Sequence, residues 1–381
     1  MGNNIEMREV KKSDIKEIVF LHNNAYNEQG TPEHWIWEYK GIYPDEFVFT
    51  IIRDKAKNRL VGTQGMIPVY LNIKGKRYFT GKTESDLLDL KYRGGTLFQE
   101  LYEFSISHCK LRNMYFIWGG TSAAKVWRNK LKFTVYENSM KESKIILNLG
   151  ATLFETIKSK LKIVKISIKT KQTTFKKTII VLLNKLSKVY NYLPKFKFKP
   201  TKIEKPISIN GNFIIEPKLR SINDLKMLYS RLRKKYPNII HIEQDEKFFN
   251  WRILNNPLNK YETYFVYDDN LLRAYCYLNS SSSRIAYLTD LTFDTSDVGK
   301  FLMDKILKKL RDKKVAYLYF IGNIDNPLMS KVFELLKTYG AIIDKYSQFF
   351  VIRNLSYSDE KYLHEIKNWY INGLWSIGKS I

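Results

Sequence analysis

One stretch limits the possible folds most: Asp89-Leu90-Lys91-Tyr92-Arg93-Gly94-Gly95-Thr96-Leu97-Phe98. Leu87, Leu88 and Leu90 read as the end of an apolar strand. A basic glycine turn follows. Leu97, Leu101 and Phe104 then recur at i, i+4 and i+7, the spacing of one helical face. A Gly-Gly turn that opens a helix presents several backbone N–H groups, and the helix dipole adds partial positive charge. Both favour phosphate oxygens. Arg93 adds a fixed cation with forked donors. An ordinary strand-to-helix turn carries the same glycines, so the context has to decide.

A second strand follows, Met114 to Trp118. The pattern predicts a break at Gly119-Gly120 and a helix from Thr121 to Trp127, with Thr121 as its N-cap, closing near Leu131-Lys132-Phe133. Strand, turn, helix, strand, turn, helix predicts an α/β arrangement. The helix crossing between the first two strands makes them parallel.

These residues resemble the GNAT-type acyl-CoA N-acyltransferases. Tyr92-Arg93-Gly94-Gly95-Thr96-Leu97-Phe98 is similar to the family's pyrophosphate loop, written Arg/Gln-x-x-Gly-x-Gly/Ala. Trp118 to Trp127, with Leu131-Lys132-Phe133, is similar to its next segment, which often ends in Leu-Gly-Phe. The two-domain members associated with surface-polysaccharide biosynthesis are most alike. Two positions depart. With Arg93 opening the motif, its glycine falls on Thr96 and its last small residue on Phe98; Lys132 replaces the glycine before Phe133. The likeness covers residues 5–138 and touches the second half faintly.

The resemblance implies acetyl-CoA or another acyl-CoA as co-substrate. Leu87, Leu88 and Asp89 of the strand, with Arg93, Gly94, Gly95, Thr96 and Leu97 of the loop, would hold it. An amine would attack directly; no Gly-x-Ser-x-Gly elbow or cysteine motif suggests a covalent intermediate. Thr83-Glu84-Ser85-Asp86 precedes the strand that should line the site. Strand alternation puts Glu84 and Asp86 on one face and Asp89 on the other. Glu84 is the first candidate base and Asp86 the second; a solvated strand end beside Lys82 is the plain alternative. Where many members carry a tyrosine that protonates the thiolate, this chain has Trp127 and Arg128, with Tyr136 beyond. Tyr26, Trp35, Trp37 and Thr121 are the expected acceptor contacts. Their aromatic rings suit a sugar ring, and the same spacing suits core packing.

At 381 residues, two domains are expected. An internal repeat supports this. Glu33-His34-Trp35-Ile36-Trp37-Glu38-Tyr39 with Pro44 is echoed by Glu246-Lys247-Phe248-Phe249-Asn250-Trp251-Arg252 with Pro257. Tyr115-Phe116-Ile117-Trp118-Gly119 is echoed by Tyr319-Phe320-Ile321-Gly322, which leads to a predicted helix from Asn326 to Tyr339. In the second copy Asp294 and Asp297 stand where phosphate would bind, and like charges repel. The expected architecture is therefore an α+β mixed-sheet form of the α/β class: tandem GNAT-like domains, the second degenerate, joined by a basic helical connector. The bounds are 1–138, connector 139–209, 210–356, and a helical tail 357–381.

The formal charge of +26 is concentrated. Residues 156–205 hold fifteen lysines against one acid, Glu204. Thr174 to Leu193 reads as an amphipathic helix ended by Pro194. It could be a helix packed on a domain with solvated lysines, a peripheral anchor on anionic lipid, or a strand-binding segment for nucleic acid. No recognisable nucleic-acid fold accompanies the last reading. Cys109 and Cys276 form no disulfide framework, and the five histidines no metal spacing. A cytoplasmic location is expected, peripheral to the inner membrane face if the connector binds lipid. Two rival functions stand beside N-acyl transfer to an amino sugar of a surface glycan. One is aminoacyl transfer from aminoacyl-tRNA to cell-wall precursors; the other is a non-catalytic membrane or protein adaptor.

Overall fold

A computed structural model of the chain describes residues 4–27, 29–152, 213–280 and 284–375. Two mixed sheets repeat one strand order. The first runs β1 (Ile5–Glu9), β2 (Val48–Asp54), β3 (Arg59–Ile73), β4 (Lys76–Leu88), β5 (Phe116–Thr121), β15 (Phe349–Asn354) and β6 (Thr134–Tyr136). The second runs β8 (Phe213–Glu216), β10 (Tyr261–Asp268), β11 (Leu271–Asn279), β12 (Ile285–Phe293), β13 (Tyr317–Asn323), β7 (Met140–Ile146) and β14 (Ile342–Lys345). A short strand, β9 (Ile240–Ile242), also pairs with β3.

The two orders match position for position, and the sixth strand of each sheet comes from the other half. Residues 349–354 pair with β5 and β6. Residues 140–146 pair with β13 and β14. The expected connector, 139–209, thus begins with a strand of the second sheet. The rest of its basic run, with the expected helix Thr174–Leu193, lies outside the described residues. Among those described, no helix is long and apolar enough to cross a membrane.

The helices of the first half are α1 (Ile15–Tyr26), α2 (Pro32–Lys40), α3 (Leu97–Leu111) and α4 (Ala124–Asn129); those of the second are α5 (Ile222–Lys235), α6 (Ser296–Asp312) and α7 (Pro327–Thr338). Local chemistry sets their starts. Thr31 accepts from the His34 amide ahead of Pro32. Ser221 and Asp224 form a capping box, and Asn326 accepts from Leu328 and Met329. Helix α3 buries Leu97, Leu101, Tyr102, Ser105, Ile106 and Cys109; Phe104 lies off that face, against His108.

Three local expectations are corrected. Leu90 is not in the strand: it sits in a single 3-10 turn, 75% exposed. The strand from Phe116 does not break at Gly119-Gly120. It continues to Thr121 because β15 pairs with both glycines, and α4 starts only at Ala124 with Ala123 as its N-cap. Among its described residues the tail has one short helix, Glu360–His364, followed by isolated turns that pack on both halves.

The repeated aromatic segments meet each other. Trp37 donates its indole N–H to the Trp251 carbonyl at 3.2 Å, and Trp251 donates back to the Trp37 carbonyl at 2.7 Å. Their rings lie 5.4 Å apart. One apolar core runs through both halves.

Each sheet also splays between its fourth and fifth strands. In the second half, β12 pairs with β13 only from Ile285 to Leu288. The C-terminal segment fills the gap beyond. Asn323 donates to the carbonyls of Ile366 and Trp369, and a Cβ on Gly373 would meet the Thr289 carbonyl oxygen at 2.8 Å. Below this plug Asp290 is fully buried. Tyr275 donates to it at 2.7 Å, with Thr292, Gln244 and Tyr370 at 3.2–3.4 Å. Burial raises its carboxyl from 3.8 to about 7 against those hydrogen bonds.

Two outcomes are expected. Because each sheet needs a strand from the other half, neither half cut within the connector should fold alone; the two fragments co-expressed should form one complex, read by size-exclusion chromatography. The second concerns pH. With the folded-state carboxyl of Asp290 raised, the unfolded chain ionises first as pH climbs. Asp290 therefore costs stability progressively from pH 3.8 to about 7, after which the loss is complete. Urea unfolding of Asp290→Asn against wild type should show the variant gaining relative stability across that window and levelling above it.

Candidate active site

In the first half the splay stays open. Strands β4 and β5 pair in parallel only at Gly81–Ile117 and Lys82–Trp118. Beyond these, β4 keeps to β3 and β5 to β15. A bulge turns β4 at this point: Gly65 faces Glu84 and Thr63 faces Leu87, so Ser85 and Asp86 together oppose Gln64. Ser85 takes a φ of 53° to achieve it. The strands still lie so close at Gly119 that a Cβ there would meet the Thr83 side chain at 2.5 Å. A cavity of about 290 Å³ opens just past this contact.

Glu84, Ser85 and Asp86 all line the cavity. Simple alternation would have separated Ser85 from its neighbours; the bulge brings the three together. Asp89 is elsewhere, paired with Arg59 at 2.8 Å. Lys82, only 3% exposed, forms an ion pair with Glu84 inside the cavity. Tyr26 reaches in from α1 and donates to the Asp86 carbonyl at 3.0 Å. Thr121 lines the far side, its hydroxyl accepting from the Ala123 amide at 3.0 Å. Trp35 and Trp37 do not reach it. Trp35 is buried against Tyr39, Phe47 and Phe49, and Trp37 lies on Trp251. Burying these large rings between layers outweighs presenting them to a ligand.

The glycine loop sits at the end of the same strand. The Tyr92 hydroxyl donates to Asp54 at 2.5 Å and accepts from Lys57 at 2.9 Å. That hydrogen bond holds the Asp54 carboxyl down at about 2. The Arg93 Nε–H donates to the Leu88 carbonyl at 2.8 Å, fixing the guanidinium over the strand end. Gly94 has a φ of 99°, a backbone that side chains rarely adopt. Among the described residues the amides from Gly94 to Gln99 donate to no protein acceptor. Leu87 and Leu88 point their side chains into the core, and Leu88 packs with Leu97 and Leu101, so only their backbones can serve a ligand. Six open amides at a helix start with an anchored arginine beside them suit a diphosphate.

Several residues escaped the sequence reading. His22 and Glu38 line the cavity from α1 and α2. The Thr63 hydroxyl donates to the Ser85 carbonyl at 2.8 Å and has no second proton. Its 2.8 Å contact with His22 therefore requires Nε2–H to donate, which fixes the ring's tautomer when neutral. The second half supplies the opposite wall: Ile321, Tyr346, Gln348, Phe349, Phe350, Ile371, Asn372 and Trp375, with Met140. The strand exchange sets Phe349 and Phe350 beside β5, and no local pattern announces an exchange. The clustered aromatics Trp369, Tyr370 and Trp375 were the one available signal. Trp127 is buried against Tyr102 and Phe133, and Arg128 pairs with Glu137. Tyr346, not they, faces the cavity. Among the described residues no group of acids, histidines and cysteines could hold a metal ion.

No protein-family model and no curated protein matches the sequence. Solved structures do match in fold. A conserved protein of Enterococcus faecalis V583, described as a probable N-acyltransferase, superposes with a TM-score of 0.58 at 10% identity, over 93% of this chain and 73% of that one. A GCN5-related N-acetyltransferase from Kribbella flavida gives 0.56 at 8%, over 93% and 72%. Saccharomyces cerevisiae N-myristoyltransferase with bound myristoyl-CoA gives 0.52 at 13%, over 92% and 80%.

A Cβ on Gly94 meets nothing within 4 Å, so Gly94→Ala should fold, yet its φ of 99° must shift. Coenzyme A affinity, measured by calorimetry, should fall roughly tenfold, about the worth of one hydrogen bond to a charged group. Over its described residues, the chain has the fold of tandem GNAT-type acyltransferases, with one open splay and one closed.

Proposed function

We propose that the chain transfers a short acyl group from acyl-CoA to an amine. The observation that carries this reading is the open splay of β4 and β5, with six unengaged amides and Arg93 at one end and a carboxylate-lined cavity at the other. The diphosphate of the coenzyme would rest on Gly94 to Gln99. The pantetheine would follow the edge of β4 that lacks a strand partner beyond Lys82. A backbone N–H on that edge would polarise the thioester carbonyl.

The amine would enter from the cavity. Glu84 takes its proton, directly or through water, while Lys82 steadies the carboxylate. The new C–N bond forms as the C–S bond breaks, and the departing thiolate needs a proton. Tyr346 can give one. Burial, with Glu142 and Glu84 nearby, pushes its hydroxyl above the ordinary 10.0, so it stays protonated at neutral pH. Trp35 and Trp37, expected to stack on a sugar, are engaged elsewhere, so these rings give no support to a sugar acceptor.

Acetyl-CoA at 100 times its dissociation constant should stabilise the protein by about 2.7 kcal/mol and raise the Tm by a few degrees. Arg93→Glu should abolish that rise. Glu84→Gln should keep it and lower kcat by on the order of 10²–10⁴-fold. No rise in the wild type would overturn the acyl-CoA reading and favour the adaptor.

A further inference from the structure

Two successive carbonyls of β4 are held by side chains from outside the strand. They belong to Ser85 and Asp86, the pair that together opposes Gln64 in the bulge. The Thr63 hydroxyl donates to the Ser85 carbonyl at 2.8 Å, and the Tyr26 hydroxyl donates to the Asp86 carbonyl at 3.0 Å. Thr63 is fully buried, and with its proton committed it accepts from His22 Nε2–H at 2.8 Å. His22 and Tyr26 stand one turn apart at the end of α1, with their rings 5.8 Å from each other. That turn is itself tied down, because Asn23 and Gly30 exchange hydrogen bonds at 3.0 and 2.8 Å. From α2, the buried Tyr39 ring fills the space that a Cβ on Gly65, opposite Glu84, would need.

We infer that Thr63 and Tyr26 are positioning residues. With His22 behind Thr63, they clamp the bulge in the form that presents Glu84 and Asp86 to one cavity. Ser85 has a φ of 53°, a conformation that a side chain disfavours and that persists only where its neighbours enforce it. Were it to relax, one flank of β4 would slip by a residue against β3. A one-residue slip turns side chains to the opposite face of a sheet. Glu84 and Asp86 would then lose their shared place. Holding the bulge involves no chemistry; its part in catalysis rests on the acyl-transfer reading above, in which Glu84 takes the proton.

The test compares the full-length wild type with Thr63→Val, Thr63→Ser and Tyr26→Phe. Amide hydrogen exchange is followed by mass spectrometry over residues 82–88 and over β12. Acetyl-CoA affinity is measured by calorimetry, and acetyl transfer with ethylamine and glucosamine as acceptors. Thr63→Val and Tyr26→Phe each remove one hydrogen bond, so each should speed exchange at 82–88 by roughly five- to tenfold and leave β12 unchanged. Thr63→Ser keeps the hydroxyl and should exchange as the wild type does. Thr63→Val should lower kcat by on the order of 10²-fold while acetyl-CoA affinity holds. Tyr26→Phe, at an exposed position, decides the question if Thr63→Val does not fold. Unchanged exchange at 82–88 in both variants, an equal rise over β12, the same loss in Thr63→Ser, or full turnover by Thr63→Val would each overturn the inference. If neither amine is acetylated, the exchange pattern alone decides. A wild type that fails to bind acetyl-CoA while the exchange pattern holds would uphold the clamp and overturn the acyl-transfer reading instead.

Discussion

The exchange of one strand between the halves is the constraint on which the rest depends. A strand edge left unpaired exposes a row of amides and carbonyls. Here β15 covers β5 and β7 covers β13, so each half closes the other's edge. The consequence for the site is direct. Bringing β15 beside β5 also carries Tyr346, Gln348, Phe349 and Phe350 to the open splay. The cavity is therefore a property of the whole chain and not of its amino-terminal half. The reciprocal Trp37–Trp251 hydrogen bonds hold the same pseudo-twofold relation on the helical side.

The two splays began from one plan and differ in what fills them. In the first, the bulge at Ser85 brings Glu84 and Asp86 to a cavity, and Lys82 balances part of the charge. In the second, β12 carries Asp290 near its own bulge, but Gly373 and its neighbours occupy the opening. The loop that follows has Asp294 tied to Arg273 at 2.6 Å in place of a basic glycine turn. Closing the second opening fills one splay and contributes a wall to the other's cavity, because the segment that plugs it carries Trp375.

Much of this was legible in the residues. The glycine turn after Leu88, the parallel pair β4 and β5, and the repeat from Trp37 to Trp251 all follow from local spacing, since each depends on neighbours close in sequence. What stayed hidden depends on distant partners. Gly119-Gly120 looked like a chain break because glycine is intrinsically permissive; pairing with Phe350 and Val351 kept the strand going. Trp35 and Trp37 looked available for a ligand, yet their tertiary neighbours claim them. Glu84 and Asp86 line one cavity as the alternation predicted, but a bulge that depends on pairing with β3 adds Ser85 between them.

The position of Trp375 has a consequence for synthesis. During translation the glycine loop, β4 and β5 leave the ribosome long before the residues that finish the cavity. Strand β15 and the Trp369–Trp375 segment emerge only after the other strands of both sheets. The nascent protein can thus present the glycine loop while the second wall of its cavity does not yet exist. A premature stop that removes only the last turn of described structure would leave both sheets drawn and the second splay partly unsealed, with the cavity opened on the side that Trp375 lines.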